Sequence, residues 1–131
     1  MKKTYPIVIE DTGEKYLLVR IPDFDGMTQG IDITEAIDMA ADWIGLAGND
    51  LEDHEKSLPE PSDIADVQAA FPGAIVTLVN VDFVVYRRQN DSRAVKKNCT
   101  IPSWLNAAAE KANINFSAVL QEGLKREMHL E

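Results

Sequence analysis

The sequence contains one cysteine, Cys99, and two histidines, His54 and His129, among its 131 residues. A single cysteine cannot form an internal disulfide, so the fold must depend on its core. The two histidines lie far apart in sequence and have no accompanying cysteine or histidine at a metal-ligand spacing. These absences exclude a disulfide scaffold and a zinc module, and we predict no metal site.

Long apolar runs are also missing, because no stretch approaches the roughly 18 apolar residues that a membrane helix needs. The N-terminus carries lysines but reaches Glu10 and Asp11 before any apolar core of signal type. We therefore predict no export signal and a cytoplasmic protein. The sequence also has no phosphate-cradling glycine loop and no nucleophile elbow.

Basic residues are scarce in the first part of the chain. Residues 1–90 carry 17 acidic and 7 basic side chains, a net charge of −10, whereas residues 91–131 carry 5 acidic and 6 basic, a net charge of +1. An acidic body repels phosphate groups and attracts basic partners. The charge distribution favours a protein partner for the body and leaves the C-terminal part free to approach nucleic acid. A surface that serves only solubility is the alternative interpretation.

Four aspartates, Asp23, Asp25, Asp32 and Asp82, raise the alternative of a two-metal nuclease. Their spacing does not select such a site, and the first two lie in a predicted loop where aspartates commonly form turns. A calcium loop beginning at Asp23 is rejected because its glycine comes too early and its last ligand position is occupied by Thr34. We predict no catalytic residue, no cofactor and no enzyme.

The first 86 residues predict an antiparallel α+β layer of the order β-β-β-α-β. Residues 5–10 and 15–21 suit the strands of a hairpin. Thr34 suits the cap of a helix that ends at Gly45 or Gly48. The other predicted segments are a short strand at 27–30, a loop at 49–63 with a short helix at 64–70, one or two strands at 74–81 and 83–86, and a linker at 87–94.

Residues 96–101 alternate in character, which indicates a short strand with Lys96, Asn98 and Thr100 on one side. Pro102 ends the strand and suits the first turn of a helix, with Ser103 as an alternative cap. Asn115 fits the N-cap of a second helix. One strand and two short helices cannot bury a sufficient core, so we predict a two-fold dimer whose strands pair as an antiparallel ribbon.

A two-stranded ribbon fits the major groove of DNA. Lysine and asparagine suit guanine and adenine edges, and threonine can contact a thymine methyl group. The open N-terminus of the second helix offers backbone N–H groups to a phosphate. The predicted DNA-binding residues are therefore Lys96, Asn98, Thr100, Asn115, Phe116 and Ser117. A dimerisation arm with solvated lysines is the alternative.

The strings KKNCTIPSWL and NFSAVLQEGL resemble the ribbon-helix-helix that ends many antitoxins of the HicB family. Lys97 departs from that pattern, where an apolar residue is more usual. Upstream, Tyr5-Pro6, Pro22-Asp23, Thr28-Gln29-Gly30 and Val81-Asp82 resemble the N-terminal body of the same family. Together these segments extend the resemblance over most of the chain.

The resemblance implies a partial RNase H-like body, without a working nuclease site, that binds a small basic mRNA-cleaving toxin, HicA. It also implies that the C-terminal domain represses the shared promoter, as a dimer or a tetramer. We accordingly divide the chain into a toxin-binding domain at 1–86, a linker at 87–94 and a ribbon-helix-helix domain at 95–131. The predicted toxin contacts are Tyr5, Asp23, Phe24, Asp25, Met27 and Gln29. A stand-alone transcription regulator whose body binds a small ligand, and a residual nuclease, are the alternatives.

Overall fold

Alternation of apolar residues places four strands in one antiparallel sheet of order β3-β2-β1-β4. The computed structural model describes residues 1–130. The elements of the first part are β1 (Lys2–Glu10), β2 (Leu17–Ile21), a 3-10 turn (Pro22–Phe24), β3 (Gly26–Gly30), α1 (Ile33–Asp53), α2 (Ile64–Ala70), β4 (Ile75–Asp82) and α3 (Phe83–Asn90). The predicted hairpin, the third strand, the short helix and the strand over most of 74–81 are confirmed, as is the α+β class.

The central strand β1 fixes the register of the sheet, because Val8 pairs with Arg20 of β2 on one side and with Val76 of β4 on the other. Alternate residues of β1 point to opposite faces. Tyr5, Ile7 and Ile9 therefore face the main core, where they are almost fully buried.

Helix α1 covers this face of the sheet with Ala36, Ala40 and Ile44, all fully buried in the main core. Its cap is Asp32, whose Oδ1 accepts a hydrogen bond from Glu35 N at 2.8 Å. The prediction of Thr34 as the cap was wrong by two residues, because the aspartate carboxylate satisfies the first free N–H groups.

Helix α1 does not end at Gly45 or Gly48 but continues to Asp53, so the predicted loop begins only at His54. A Cβ atom at Gly45 would overlap the Tyr86 ring, and one at Gly48 would overlap the Phe83 ring. The glycines therefore allow α3 to pack directly on the α1 backbone. This packing offsets the roughly 1 kcal/mol that glycine costs in a helix interior.

The predicted strand at 83–86 is also wrong, because these residues begin α3. Asp82 Oδ1 accepts hydrogen bonds from Val84 N at 3.1 Å and Val85 N at 3.2 Å, which caps the helix. Tertiary burial of Phe83 and this cap override the strand propensity of two valines. The same helix includes residues 87–90, which were predicted to belong to a linker.

The residues from Ala94 onward form a second unit. It contains α4 (Ser103–Lys111), preceded by Pro102, and α5 (Phe116–Glu127), whose cap Asn115 accepts a hydrogen bond from Ala118 N at 3.0 Å. Both helices and the Asn115 cap are confirmed. Residues 91–102 have no regular secondary structure in the single chain, so the predicted strand at 96–101 is not formed there. That strand requires a second copy for its backbone hydrogen bonds, and it stays a prediction.

We predict that Gly48→Ala lowers the free energy of unfolding by about 1–3 kcal/mol, although alanine is the better helix former. The added methyl group must displace the buried Phe83 ring. Urea unfolding followed by circular dichroism measures the change. Adding Phe83→Leu should recover part of the loss, and an unchanged stability for Gly48→Ala would contradict direct packing of α3 on α1.

Ionisation of Tyr5 makes the free energy of unfolding depend on pH in the alkaline range. Burial first, and then the charges of Asp23 and Glu60, raise the pKa of Tyr5 to about 12. In the unfolded chain the phenol ionises at about pH 10. The stabilisation by the buried neutral phenol is therefore complete below that pH and is lost as the pH rises toward the pKa of the folded state. We predict that Tyr5→Phe costs about 1 kcal/mol at neutral pH through the lost Pro59 hydrogen bond. In return, its urea midpoint should fall less than that of the wild type between about pH 8 and pH 11.5. Equal falls would contradict this role.

Candidate functional site

The body carries an extended acidic surface. Residues 21–55 contain ten aspartates and glutamates and no lysine or arginine. Along α1, Asp38, Asp42 and Asp50 are exposed and have no lysine or arginine within salt-bridge distance among residues 1–130. Asp38 and Asp42 stand four residues apart, a spacing at which like charges destabilise a helix by about 0.2–0.5 kcal/mol. The repulsion opposes helix stability and leaves a concentrated negative charge on α1.

Three of the residues predicted to touch the toxin make contacts within the body: Tyr5 lies in β1, and Asp23 and Phe24 lie in the turn between β2 and β3. The Tyr5 side chain is fully buried and donates a hydrogen bond from its hydroxyl to Pro59 O at 2.8 Å. Its ring meets the Phe24 ring edge-on, with centroids 4.9 Å apart. Asp23 accepts hydrogen bonds from the Ser62 hydroxyl and backbone N–H. The prediction of Tyr5 as a contact residue is corrected, because its side chain lies inside the main core.

Asp25, Met27 and Gln29 are exposed. Asp25 adopts the left-handed conformation, with φ of 50°, at the end of the 3-10 turn. In β3 the side chains of Met27 and Gln29 alternate with half-buried and buried neighbours, so both point away from α1. Met27 is 52% exposed, which leaves a flexible apolar side chain beside polar ones at the sheet edge.

Three of the four aspartates considered for a nuclease site have separate structural roles. Asp32 caps α1, Asp82 caps α3 and Asp23 binds Ser62. Within the described residues, no group of three or more histidine, cysteine, aspartate or glutamate side chains is placed to hold a metal ion.

A cleft between the second half of α1 and α3 was not predicted. Arg87 lines this cleft, with Nη1 3.0 Å from Asp53 Oδ1 and Nη2 donating to Asn49 O at 3.2 Å. Burial, followed by a hydrogen bond to Asp42, raises the pKa of Tyr86. Hydrogen bonds from Arg93 lower the pKa of Asp91 to about 2, so that carboxylate stays ionised. The paired glycines of α1 were the sequence signal for a close helix contact here, but they were interpreted as a helix end.

The predicted DNA-binding residues all lie in the second unit. Lys96, Asn98 and Thr100 are exposed in the segment before α4, which has no regular secondary structure in the single chain. The Asn115 side chain is engaged as the cap of α5, which leaves the first N–H groups of that helix, at Phe116 and Ser117, for an external acceptor.

The second unit has an apolar groove, and none of its residues from 94 to 130 is buried. Neither α4 nor α5 contains a buried residue. The groove has a volume of about 680 Å³. Its apolar lining includes Ile101, Leu105, Ala109, Ile114, Phe116, Val119 and Leu120. Two short helices with this much exposed apolar surface need a further surface to pack against.

No helix within residues 1–130 has the length and apolar character that crossing a membrane requires. None of the curated proteins matches this chain. Among solved structures, a toxin-antitoxin complex from Streptococcus pneumoniae contains a chain that is 28% identical, with a TM-score of 0.58, and the match covers 97% of this chain and 99% of that one. A chain of a complex described as the HicA3 and HicB3 toxin-antitoxin complex is 26% identical, with a TM-score of 0.50, over 61% of this chain and 99% of that one.

The antitoxin HicB of Burkholderia pseudomallei is 22% identical, with a TM-score of 0.55, over 96% of each chain, and it shares the fold. Residues 5–123 match the family described as HicB_like antitoxin of bacterial toxin-antitoxin system. Since the match spans most of the sequence, from the first strand to the last helix, the chain belongs to the HicB-like antitoxin family.

Proposed function

We propose that this protein is an antitoxin that binds and neutralises a small basic mRNA-cleaving toxin of the HicA type and represses its own operon. The main observation in favour of toxin binding is that residues 21–55 contain ten aspartates and glutamates and no lysine or arginine. Such a surface attracts a cationic protein and disfavours wrong partners. Membership of an antitoxin family, and likeness to chains of two toxin-antitoxin complexes, support the same role.

The toxin contacts that we retain are Asp25, Met27 and Gln29, because these three side chains are exposed at one sheet edge. Asp23 and Phe24 are half-buried and hold the turn that presents them. A methionine between polar side chains suits a small apolar contact surrounded by charge-assisted hydrogen bonds. We propose no catalytic role for the body, which we regard as a partial RNase H-like domain.

Repression is assigned to the second unit, acting as a ribbon-helix-helix. Pairing of residues 96–101 from two copies would give each strand its missing backbone partner. The same pairing would cover the apolar groove of each copy. In the single chain neither α4 nor α5 has a buried side chain. Lys96, Asn98 and Thr100 would then face the major groove of the operator, with the N-terminus of α5 at a phosphate. We propose a homodimer, with a tetramer as the larger alternative, and a cytoplasmic location.

We predict that Asn98→Ala reduces discrimination between the chain's own promoter and random DNA by about 1–3 kcal/mol. The loss arises because alanine cannot form the paired hydrogen bonds that asparagine makes with adenine. Fluorescence anisotropy at two salt concentrations measures both affinities, with a chain ending at Arg93 as the negative control. Equal weakening on both DNAs would contradict base reading by Asn98, and specific binding by the shortened chain would contradict DNA reading by the second unit.

Met27→Ala should weaken the complex with the cationic protein encoded beside this gene by about 1 kcal/mol or more. The variant lacks the apolar side chain that the complex would bury. Leu78→Ala is a matched control, because Leu78 is 48% exposed against 52% for Met27 and lies on the other edge strand. Titration calorimetry with the purified neighbour gives both values. Equal losses would show that the β3 edge is not the contact, and no binding by the wild type would overturn the antitoxin role.

A further inference from the structure

The sheet ends at β4, whose outer side pairs with no other strand in the described part of the chain. The register of β4 with β1 runs without a bulge from Ile75 to Asp82. Natural edge strands are usually protected against further pairing by a bulge, a proline or a charged side chain. The strand has none of these, because residues 67–81 contain no charged side chain and their one proline, Pro72, precedes the strand.

The free backbone groups of this edge belong to Val76, Leu78 and Asn80. Phe83 N donates to Met1 O at 2.9 Å, so Phe83 and every second residue before it form the hydrogen-bonded pairs with β1. The three residues between them therefore direct their N–H and C=O groups away from β1. No second strand supplies partners for these groups within residues 1–130.

Apolar side chains are exposed on both faces of the same edge. Ile75 is 54% exposed and Leu78 is 48% exposed, and the alternation of side chains along a strand places them on opposite faces. The start of β4 is closed by Gln68, whose Nε2 donates to Ala74 O at 3.2 Å. The segment open to pairing is therefore 76–80, flanked by apolar surface.

We propose that this edge pairs with the same edge of a second copy of the chain, antiparallel, with Leu78 opposite its own copy at the two-fold axis. Val76 then lies opposite Asn80 of the other copy, and the outward residues of the two strands exchange about six backbone hydrogen bonds. The two Leu78 side chains cover each other on one face. On the other face Ile75 packs beside Val81 of the second copy.

Charge selects a second copy over the cationic partner of the body. Residues 67–81 offer no carboxylate to a lysine or arginine, and the self-pairing places no like charges opposite each other. The two copies repel only through the net charge of −10 that residues 1–90 of each carry. Salt should therefore strengthen this pairing, whereas salt weakens the binding of a cationic protein. The inference goes beyond the antitoxin role and does not depend on it.

The test is disulfide crosslinking of the full-length chain in a Cys99→Ser background, which removes its one natural thiol. Opposed residues of a hydrogen-bonded pair have Cα atoms about 5.5 Å apart, a distance that a disulfide spans. On mild oxidation, Leu78→Cys should form linked dimers at least about tenfold faster than Asn80→Cys, whose two copies lie about 14 Å apart along the strands. Asn80 is a matched control, because it is exposed on the same face of β4.

Coexpressed Val76→Cys and Asn80→Cys chains, with tags of different size, test the register independently. Each variant alone should remain unlinked, and the coexpressed pair should give a linked heterodimer, since the two positions are opposite in the proposed pairing. This arm decides if Leu78→Cys lowers the melting temperature. Linking of Asn80→Cys alone as fast as Leu78→Cys, or no linking in either arm, would overturn the pairing.

The cationic protein encoded beside the gene distinguishes the two candidate occupants of this edge. We expect the linking rate of Leu78→Cys to rise with salt and to stay unchanged when that protein is added in excess, because the proposed toxin contacts lie on β3. If the protein binds and suppresses linking, the β4 edge serves that partner, so self-pairing fails while the antitoxin role stands. If linking occurs and the protein does not bind, the pairing stands and the antitoxin role fails.

Discussion

The contact of the Phe83 ring with the bare backbone of Gly48 is the constraint on which much of the body depends. It requires α1 to continue past two glycines, and it holds α3 where β4 ends. Arg87, one turn further along α3, then reaches the C-terminal end of α1 and pairs with Asp53. The same contact thus places Phe83 in the core and positions α3 so that a cleft lies between it and the second half of α1.

Charge divides the chain into an acidic part, residues 1–90, and a nearly neutral part, residues 91–131. The acidic side chains of α1 repel one another, and residues 21–55 contain no lysine or arginine that could compensate their charge. A surface of this kind is stable enough because α1 is anchored by its apolar face on the sheet. In the proposed complex, a cationic protein would relieve this repulsion, and its association would therefore be sensitive to salt.

Most of the fold was predictable from local pattern. The alternation in β1 and β2, the N-cap at Asn115 and the short helix α2 each follow from residues close in sequence. The failures have one cause, which is tertiary contact. Gly48 signals a helix end until a ring is available to cover it, and Val84 and Val85 favour a strand until Asp82 caps them. The site was harder to predict, because a tyrosine such as Tyr5 suits a core as well as an interface, and the cleft between α1 and α3 exists only in the folded chain.

The absence of any buried side chain in α4 and α5 has a consequence for control. A unit that has no interior of its own is ordered only while another surface covers it, so its stability varies with concentration. If that surface is a second copy, the concentration of assembled dimers rises with the square of the free chain concentration at low abundance. If this dimer represses an operator, as proposed, depletion of the protein would release that operator over a narrower range of concentration than a monomeric repressor would.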